Sequence, residues 1–345
     1  MKTEGSVCTR SWFAGLTLAL AMSVIAAQSA QAQTFTVLHN FTGQSDGAWP
    51  EASVIGDADG NLYGTTVIGG TSGSWGTVFK VDTSGTESLL YSFTGGADGG
   101  NPYCKLVRDV KGNLYGTTQV AGTSGDGTVF KLNGGTDIVL HSFTGSDGEN
   151  SYLASLLRDA KGNLYGVTYE GGTSGDGTVY KLSKSGVLTV LHNFSGLDGN
   201  DPYGLFRDAK GTLYGTTVFG GSGTCTYFEF SGCGTVWKLT PPAATTTALT
   251  SSPNPSTYGQ AVTFAAVVTS NAGVPSDGET VSFMKGNTVL GTGELGGGST
   301  TFTTSALKVG TTAVKAVYVG DSNFAGSIST AEKQVVLKAG SVQTP

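Results

Sequence analysis

Three histidines, His39, His141 and His192, recur in one short motif, Leu-His-(Asn/Ser)-Phe, and a fourth copy of that motif carries Tyr91 instead. A catalytic imidazole is normally unique in its site. One that Tyr replaces in a sister copy reads as packing or as a satisfied hydrogen bond. Most acids also repeat: Asp57, Asp109, Asp159 and Asp208 precede one set of tight turns, and Asp46, Asp98, Asp147 and Asp198 each precede Gly. Asp in these places bonds nearby backbone N–H groups and stabilises the turn. The spacing Asp57-Ala-Asp59-Gly-Asn61 opens like a Ca²⁺ loop, but such a loop needs Gly at its sixth position and a bidentate Glu at its twelfth. Leu62 and Ile68 stand there. Ca²⁺ near Asp57, Asp59 and Asn61 is therefore a marginal expectation, and no other cofactor or metal is expected. Glu51, Glu149, Glu170 and Glu229 do not repeat. Two carboxylates about 5–9.5 Å apart could cleave a glycosidic bond, yet no spacing singles out a pair. The G-x-S-x-G, H-E-x-x-H and phosphate-loop motifs are absent.

The aromatic residues offer a different chemistry. Trp49, Tyr103, Tyr152 and Tyr203 fall in one class of loop. Trp75 and the stretch Cys225-Thr-Tyr227-Phe228-Glu229-Phe230-Ser-Gly-Cys233 fall in another. Exposed rings beside carboxylates and amides suit recognition of sugars or of a partner protein. Cys225 and Cys233 bracket a single loop and are expected to form a disulfide. Cys104 is left over and reads as a buried small apolar residue.

The elements that must position these residues come from a repeat. Leu-Tyr-Gly begins at Leu62, Leu114, Leu164 and Leu213, a period of about 50 residues. Gly-Thr-Val-aromatic-Lys follows each, at Gly76, Gly127, Gly177 and Gly234, with Phe79, Phe130, Tyr180 and Trp237 as the aromatic residue. With the Leu-Val-Arg-Asp-Val type motif and the Leu-His-Asn-Phe motif, each repeat holds four short strands, a to d, bounded by Gly, Asp, Asn or Pro. Four short antiparallel strands per repeat predict a propeller-like blade, about four blades in all; a β-solenoid is the alternative. The lone d segment 36–41 precedes the first repeat and the last repeat ends on strand c, so the first d strand is expected to complete the last blade. In this topology the d–a and b–c loops share one face, which collects the aromatic residues.

The 345 residues include 55 Gly; 13% are charged and 38% hydrophobic, with a net charge of −6. Disorder is excluded by the aromatic content. The acidic balance and the lack of basic runs argue against nucleic acid as a partner. Lys2 and Arg10, an apolar run from Trp12 to Ala27 and Ala30-Gln-Ala32 predict a signal peptide over residues 1–32, hence an exported protein with no integral membrane segment after cleavage.

Leu-Tyr-Gly-(Thr/Val)-Thr, (Gly/Ala)-Gly-Thr-Ser-Gly and Gly-Thr-Val-(Phe/Tyr)-Lys, recurring over about 36–240, resemble the GloVer tandem repeat of bacterial choice-of-anchor surface proteins. That resemblance implies export and cell-surface placement, and implies no particular activity. Pro241-Pro242 marks a boundary. The domains are therefore read as a repeat domain at 33–242, a second domain at 243–338 and a tail at 339–345. The second is expected to be an Ig-like β-sandwich of about seven strands with Phe264, Val281, Phe283, Val314, Ala316 and Tyr318 in its core. Its Tyr318-Val-Gly-Asp-Ser-Asn-Phe-Ala-Gly-Ser resembles bacterial Ig-like domains of the tandem surface type. The leading expectation is an all-β, non-catalytic binding or adhesion protein whose ligand is an extracellular carbohydrate or surface protein. A polysaccharide hydrolase or lyase, and an architectural envelope component, are the alternatives.

Overall fold

The computed structural model describes residues 34–152, 156–227 and 230–340. The expected signal peptide, Phe228 and Glu229 lie outside them. The repeats form four antiparallel sheets. The first contains β1 (Ile55–Gly56), β2 (Leu62–Thr66), β3 (Thr77–Val81) and β4 (Glu87–Ser92). The second contains β5 (Val107–Arg108), β6 (Leu114–Thr118), β7 (Thr128–Asn133) and β8 (Thr136–Ser142). The third contains β9 (Leu157–Arg158), β10 (Leu164–Thr168), β11 (Thr178–Leu182) and β12 (Leu188–Asn193). The fourth has β13 (Asn200–Arg207), β14 (Leu213–Phe219) and, after the small hairpin β15 (Thr226–Tyr227) and β16 (Phe230–Ser231), β17 (Thr235–Leu239). Strands run a-b-c-d in spatial order, as in propeller blades, and every ladder of the repeats is antiparallel, which excludes the parallel stacking of a β-solenoid.

The two signature motifs are linked by steric need. Gly64, Gly116, Gly166 and Gly215 stand directly opposite Phe79, Phe130, Tyr180 and Trp237 across the b–c ladder. A Cβ on any of these glycines would overlap the facing ring. The ring then receives the Phe of the preceding d strand edge-on. The ring centroids lie 5.1 Å apart for Phe93–Phe130, 5.3 Å for Phe143–Tyr180 and 5.8 Å for Phe194–Trp237. Arg108, Arg158 and Arg207 reach back from the a strands over Tyr63, Tyr115 and Tyr165, at 5.2–5.5 Å.

One expectation fails here. Residues 36–41 form no strand, and no ladder joins them to β17, which among the described residues pairs only with β14. The segment lies instead against the first sheet, with Phe41 5.0 Å from Phe79. Stacking on the following sheet fixes its position, whereas the strand edge it was expected to meet is at the other end of the array. The last sheet therefore has three strands in its main ladder.

The second domain is a sandwich of a three-stranded sheet, β18 (Thr245–Ser252), β20 (Val262–Ser270) and β23 (Ser299–Thr304), and a six-stranded one. The latter contains β19 (Ser256–Thr257), β21 (Thr280–Lys285), β22 (Thr288–Glu294), β24 (Gly310–Gly320), β25 (Ala325–Ile328) and β26 (Glu332–Leu337). All six expected core residues are buried in one cluster with Leu249, Val262, Ala266 and Val336.

The a–b turns carry the repeated acids. Asp109 Oδ1 accepts the Lys111 and Asn113 N–H groups, while Oδ2 accepts the Asn113 amide and the Tyr115 hydroxyl. Burial works upward on this carboxyl, but those bonds outweigh it and hold the pKa down at about 2. Replacing Asp109 with Ala should cost about 1–3 kcal/mol at pH 7 by denaturant titration, because buried donors lose their acceptor. The depressed pKa means that this stabilisation is complete above the unfolded value of about 3.9 and is lost as pH falls through about 2. The wild type and variant should therefore converge in acid. Asp137 on β8 behaves oppositely. Burial and the nearby Asp98 push it up to about 7, and Tyr91 lines the same groove. A raised carboxyl favours the protein below about pH 4 and is a growing cost up to about 7. Asp137→Asn should raise the melting temperature at pH 8 and leave it nearly unchanged at pH 4.

Candidate ligand face

The d–a and b–c loops are hydrogen-bonded to one another and form a single face. Paired backbone bonds join Ala48 to Ile68, Gly100 to Val120 and Glu149 to Glu170. Between sheets, the N–H groups of Asn101, Asn150 and Asp201 donate to the carbonyls of Trp75, Asp126 and Asp176. Asn101, Asn150 and Asp201 all have positive φ, at 55°, 54° and 57°, a conformation that Asn and Asp tolerate well.

Trp49 occupies the same position in the first loop, with φ 59° and 60% of its surface exposed. It is thus the counterpart of Asn101, not of Tyr103, Tyr152 and Tyr203; Glu51 holds the place of those tyrosines. A bulky indole in the left-handed region is strained, a feature that concentrates at functional sites. Trp75 similarly stands where later repeats have Asp126 and Asp176. Its ring lies against Gly95 and Gly100 and remains 39% exposed. The first sheet therefore departs from its sister copies with two tryptophans on one loop face.

The tyrosines separate. Tyr103 and Tyr152 meet edge-on at 4.7 Å, and Tyr152 meets Tyr169 at 6.0 Å. Tyr203 is exposed on β13. Tyr169 was not singled out from the sequence; its signal is that it replaces Val67 and Gln119 just after the Leu-Tyr-Gly strand. It bonds Asp201, and burial raises both groups above their usual ranges. Glu149 and Glu170 are direct bridge partners. Burial, then the charges of Asp126 and Glu170, push the Glu149 carboxyl upward. Glu51 is exposed in the first loop.

Cys225 and Cys233 form the disulfide, which spans the β15–β16 hairpin carrying the backbones of Tyr227 and Phe230. Cys104 is a free thiol, 1% exposed; its sulfur accepts the Thr117 N–H at 2.9 Å, and burial raises its pKa. The histidines serve the scaffold. His141 and His192 Nε2 lie 2.9 and 2.8 Å from Asp147 and Asp198, and His39 lies 3.4 Å from Asp46. Tyr91 makes the same bond to Asp98 at 3.0 Å. Asp57 does not fit a cation. It already accepts the Asp59 and Asn61 N–H groups, the Asn61 amide and the Tyr63 hydroxyl. The Asn61 amide bond is foremost in holding its carboxyl at about 2.

A cavity of about 550 Å³ lies away from this face. It is lined by Tyr165, Arg207, Leu239, Pro241, Pro242 and Asp321. Its walls include the Arg207–Tyr165 pair that joins the third sheet to the fourth.

Fold and loops together define an all-β, disulfide-bearing repeat protein with an appended sandwich module. The chain belongs to the Gloeobacter/Verrucomicrobia repeat family, whose profile matches residues 23–228. Residues 249–337 match the group 3 bacterial Ig-like domain. No curated protein matches the chain. Among solved structures, the extracellular domain of a putative one component system from B. thetaiotaomicron is similar at 11% identity and TM-score 0.32, over 82% of this chain and 49% of that one. The chain thus spans about half the length of that structure. A protein of unknown function from Dyadobacter fermentans is similar at 11% identity and TM-score 0.33, over 80% and 92% of the two chains. The Ig-like module and the disulfide point to an exported protein. Among the described residues, no helix is long and apolar enough to cross a membrane.

Trp49→Asn restores the residue type that its left-handed backbone favours. The variant should gain about 1 kcal/mol, read as a higher urea midpoint at unchanged slope. A lower midpoint would show that the indole is held by packing and not merely tolerated.

Proposed function

We propose that the protein is an extracellular binding protein whose loop face recognises carbohydrate, with the Ig-like domain as a spacer. The observation that carries this reading is Trp49: a largely exposed indole held in a strained backbone conformation that the sister loops fill with Asn or Asp. Such strain is retained where the ring has work to do in solvent. Trp75 in the same sheet, and the Tyr103–Tyr152–Tyr169 row beyond it, extend a platform suited to the apolar faces of sugar rings. Tyr203, and Tyr227, Phe228 and Phe230 of the disulfide-bounded loop, are proposed as further contacts, and a surface protein as the other ligand class.

A second reading, polysaccharide cleavage, is favoured only by the Glu149–Glu170 pair. Directly opposite residues of this kind have Cβ atoms about 5 Å apart, and a Glu149 carboxyl raised by burial and by its acidic neighbours suits the acid of such a pair.

Binding is tested with the full chain on a broad glycan array, with reducing-end analysis of every hit. Saturable binding that Trp49→Asn and Trp75→Ala each weaken at least tenfold, with folding intact, is expected. Product formation lost in Glu149→Gln would instead establish the hydrolase or lyase. Absence of both would overturn carbohydrate recognition.

A further inference from the structure

The two ends of the repeat array are complementary. In the first three sheets strand c pairs with a d strand; among the described residues β17 pairs with β14 alone. Residues 36–41, Thr-Val-Leu-His-Asn-Phe, are identical in sequence to 189–194, which supply most of β12. They already hold the side-chain geometry of a d strand. His39 meets Phe41 edge-on at 4.8 Å, as His192 meets Phe194 at 4.8 Å, and Phe41 sits on Phe79 as Phe93 sits on Phe130. What they lack is the ladder to a strand c.

Both outer faces are also bare. Val236 is 85% exposed, whereas its counterparts Val78, Val129 and Val179 are fully buried. At the other end Val54 is 44% exposed where Leu106 and Leu156 are buried. Beside β17, between it and the third sheet, lies a groove of about 170 Å³ lined by His192, Phe194, Trp237 and Leu239.

We propose that residues 36–41 of one copy add as the fourth strand to β17 of a second copy, joining the molecules head to tail. A second copy is the occupant because it carries both halves of the contact. Its segment is already seated on its own first sheet, so adding the strand also brings Val54 against Val236. The β11–β12 register places Val37 opposite Trp237, His39 opposite Val236 and Thr36 opposite Lys238. Main-chain bonds supply the affinity, as in other strand additions, and an unlike pair of surfaces propagates into chains or closes into a ring of copies. Gly56 stands where the later sheets carry the Arg that clamps the preceding Tyr. The contact between copies lacks that clamp and is weaker than those within the chain. A side chain at Gly56 meets only ordinary van der Waals neighbours.

The test is light scattering of the full chain across a concentration series. Mass should rise with concentration. Val236→Asp, at an exposed position, should weaken the association at least tenfold, and Gly56→Arg should strengthen it. Mixing Thr36→Cys chains with Lys238→Cys chains under mild oxidation should yield linked dimers that neither gives alone. A single-chain mass at every concentration would overturn the proposal. So would a Thr36→Cys, Lys238→Cys double variant that cross-links within one chain, since the ring would then close on itself.

Discussion

The repeat domain depends on one contact made again and again: a phenylalanine from strand d of one sheet placed edge-on against the aromatic ring of strand c in the next. No four-stranded sheet this small can bury its faces alone. The contact supplies the missing cover and at the same time sets the spacing between sheets. The Gly of Leu-Tyr-Gly follows from it, because that ring needs the volume a Cβ would take. The threonine pairs that follow, such as Thr118 and Thr128 at 2.9 Å, fasten strands b and c above the ring. Thr128 also reaches the Asp98 carbonyl of the preceding loop at 3.4 Å, so the loop face is pinned to the stack beneath it.

This dependence explains what could be read from the sequence. Leu-Tyr-Gly and Gly-Thr-Val-aromatic-Lys are paired by direct packing, so they recur together and reveal the sheets. The core of the Ig-like domain was equally legible, since Phe264, Phe283 and Tyr318 alternate with half-buried or exposed positions along their strands. The fate of residues 36–41 was not. Their sequence specifies a d strand, but which strand c lies beside them is a matter of how far the array curves. That is a sum of small angles between sheets, written in no single residue.

The loop face was legible in part. Its aromatic content was plain, and so was the alignment of Trp49: it stands three residues after Asp46, as Asn101, Asn150 and Asp201 stand after Asp98, Asp147 and Asp198. What spacing cannot show is backbone hand, and the strain on the indole emerges only from φ. Tyr169 was hidden for a different reason. It follows a strand motif directly, where an aromatic residue reads as core, and the turn of the chain brings it instead to Tyr152.

The place of the two tryptophans also follows from the stack. Inside the array the left-handed residue of each d–a loop gives its N–H to the b–c loop of the sheet before it, as Asn101 does to Trp75. Its side chain is therefore confined between two sheets, where Asn or Asp fits. Among the described residues the first loop has no sheet before it. In a single copy, position 49 therefore escapes that confinement, and a large ring stands there in solvent. Variation in a repeat protein is least restricted at its ends, so a surface that must be unlike the others is most readily built there. The same reasoning accounts for the rewritten, disulfide-bounded loop of the fourth sheet, the other end of the array.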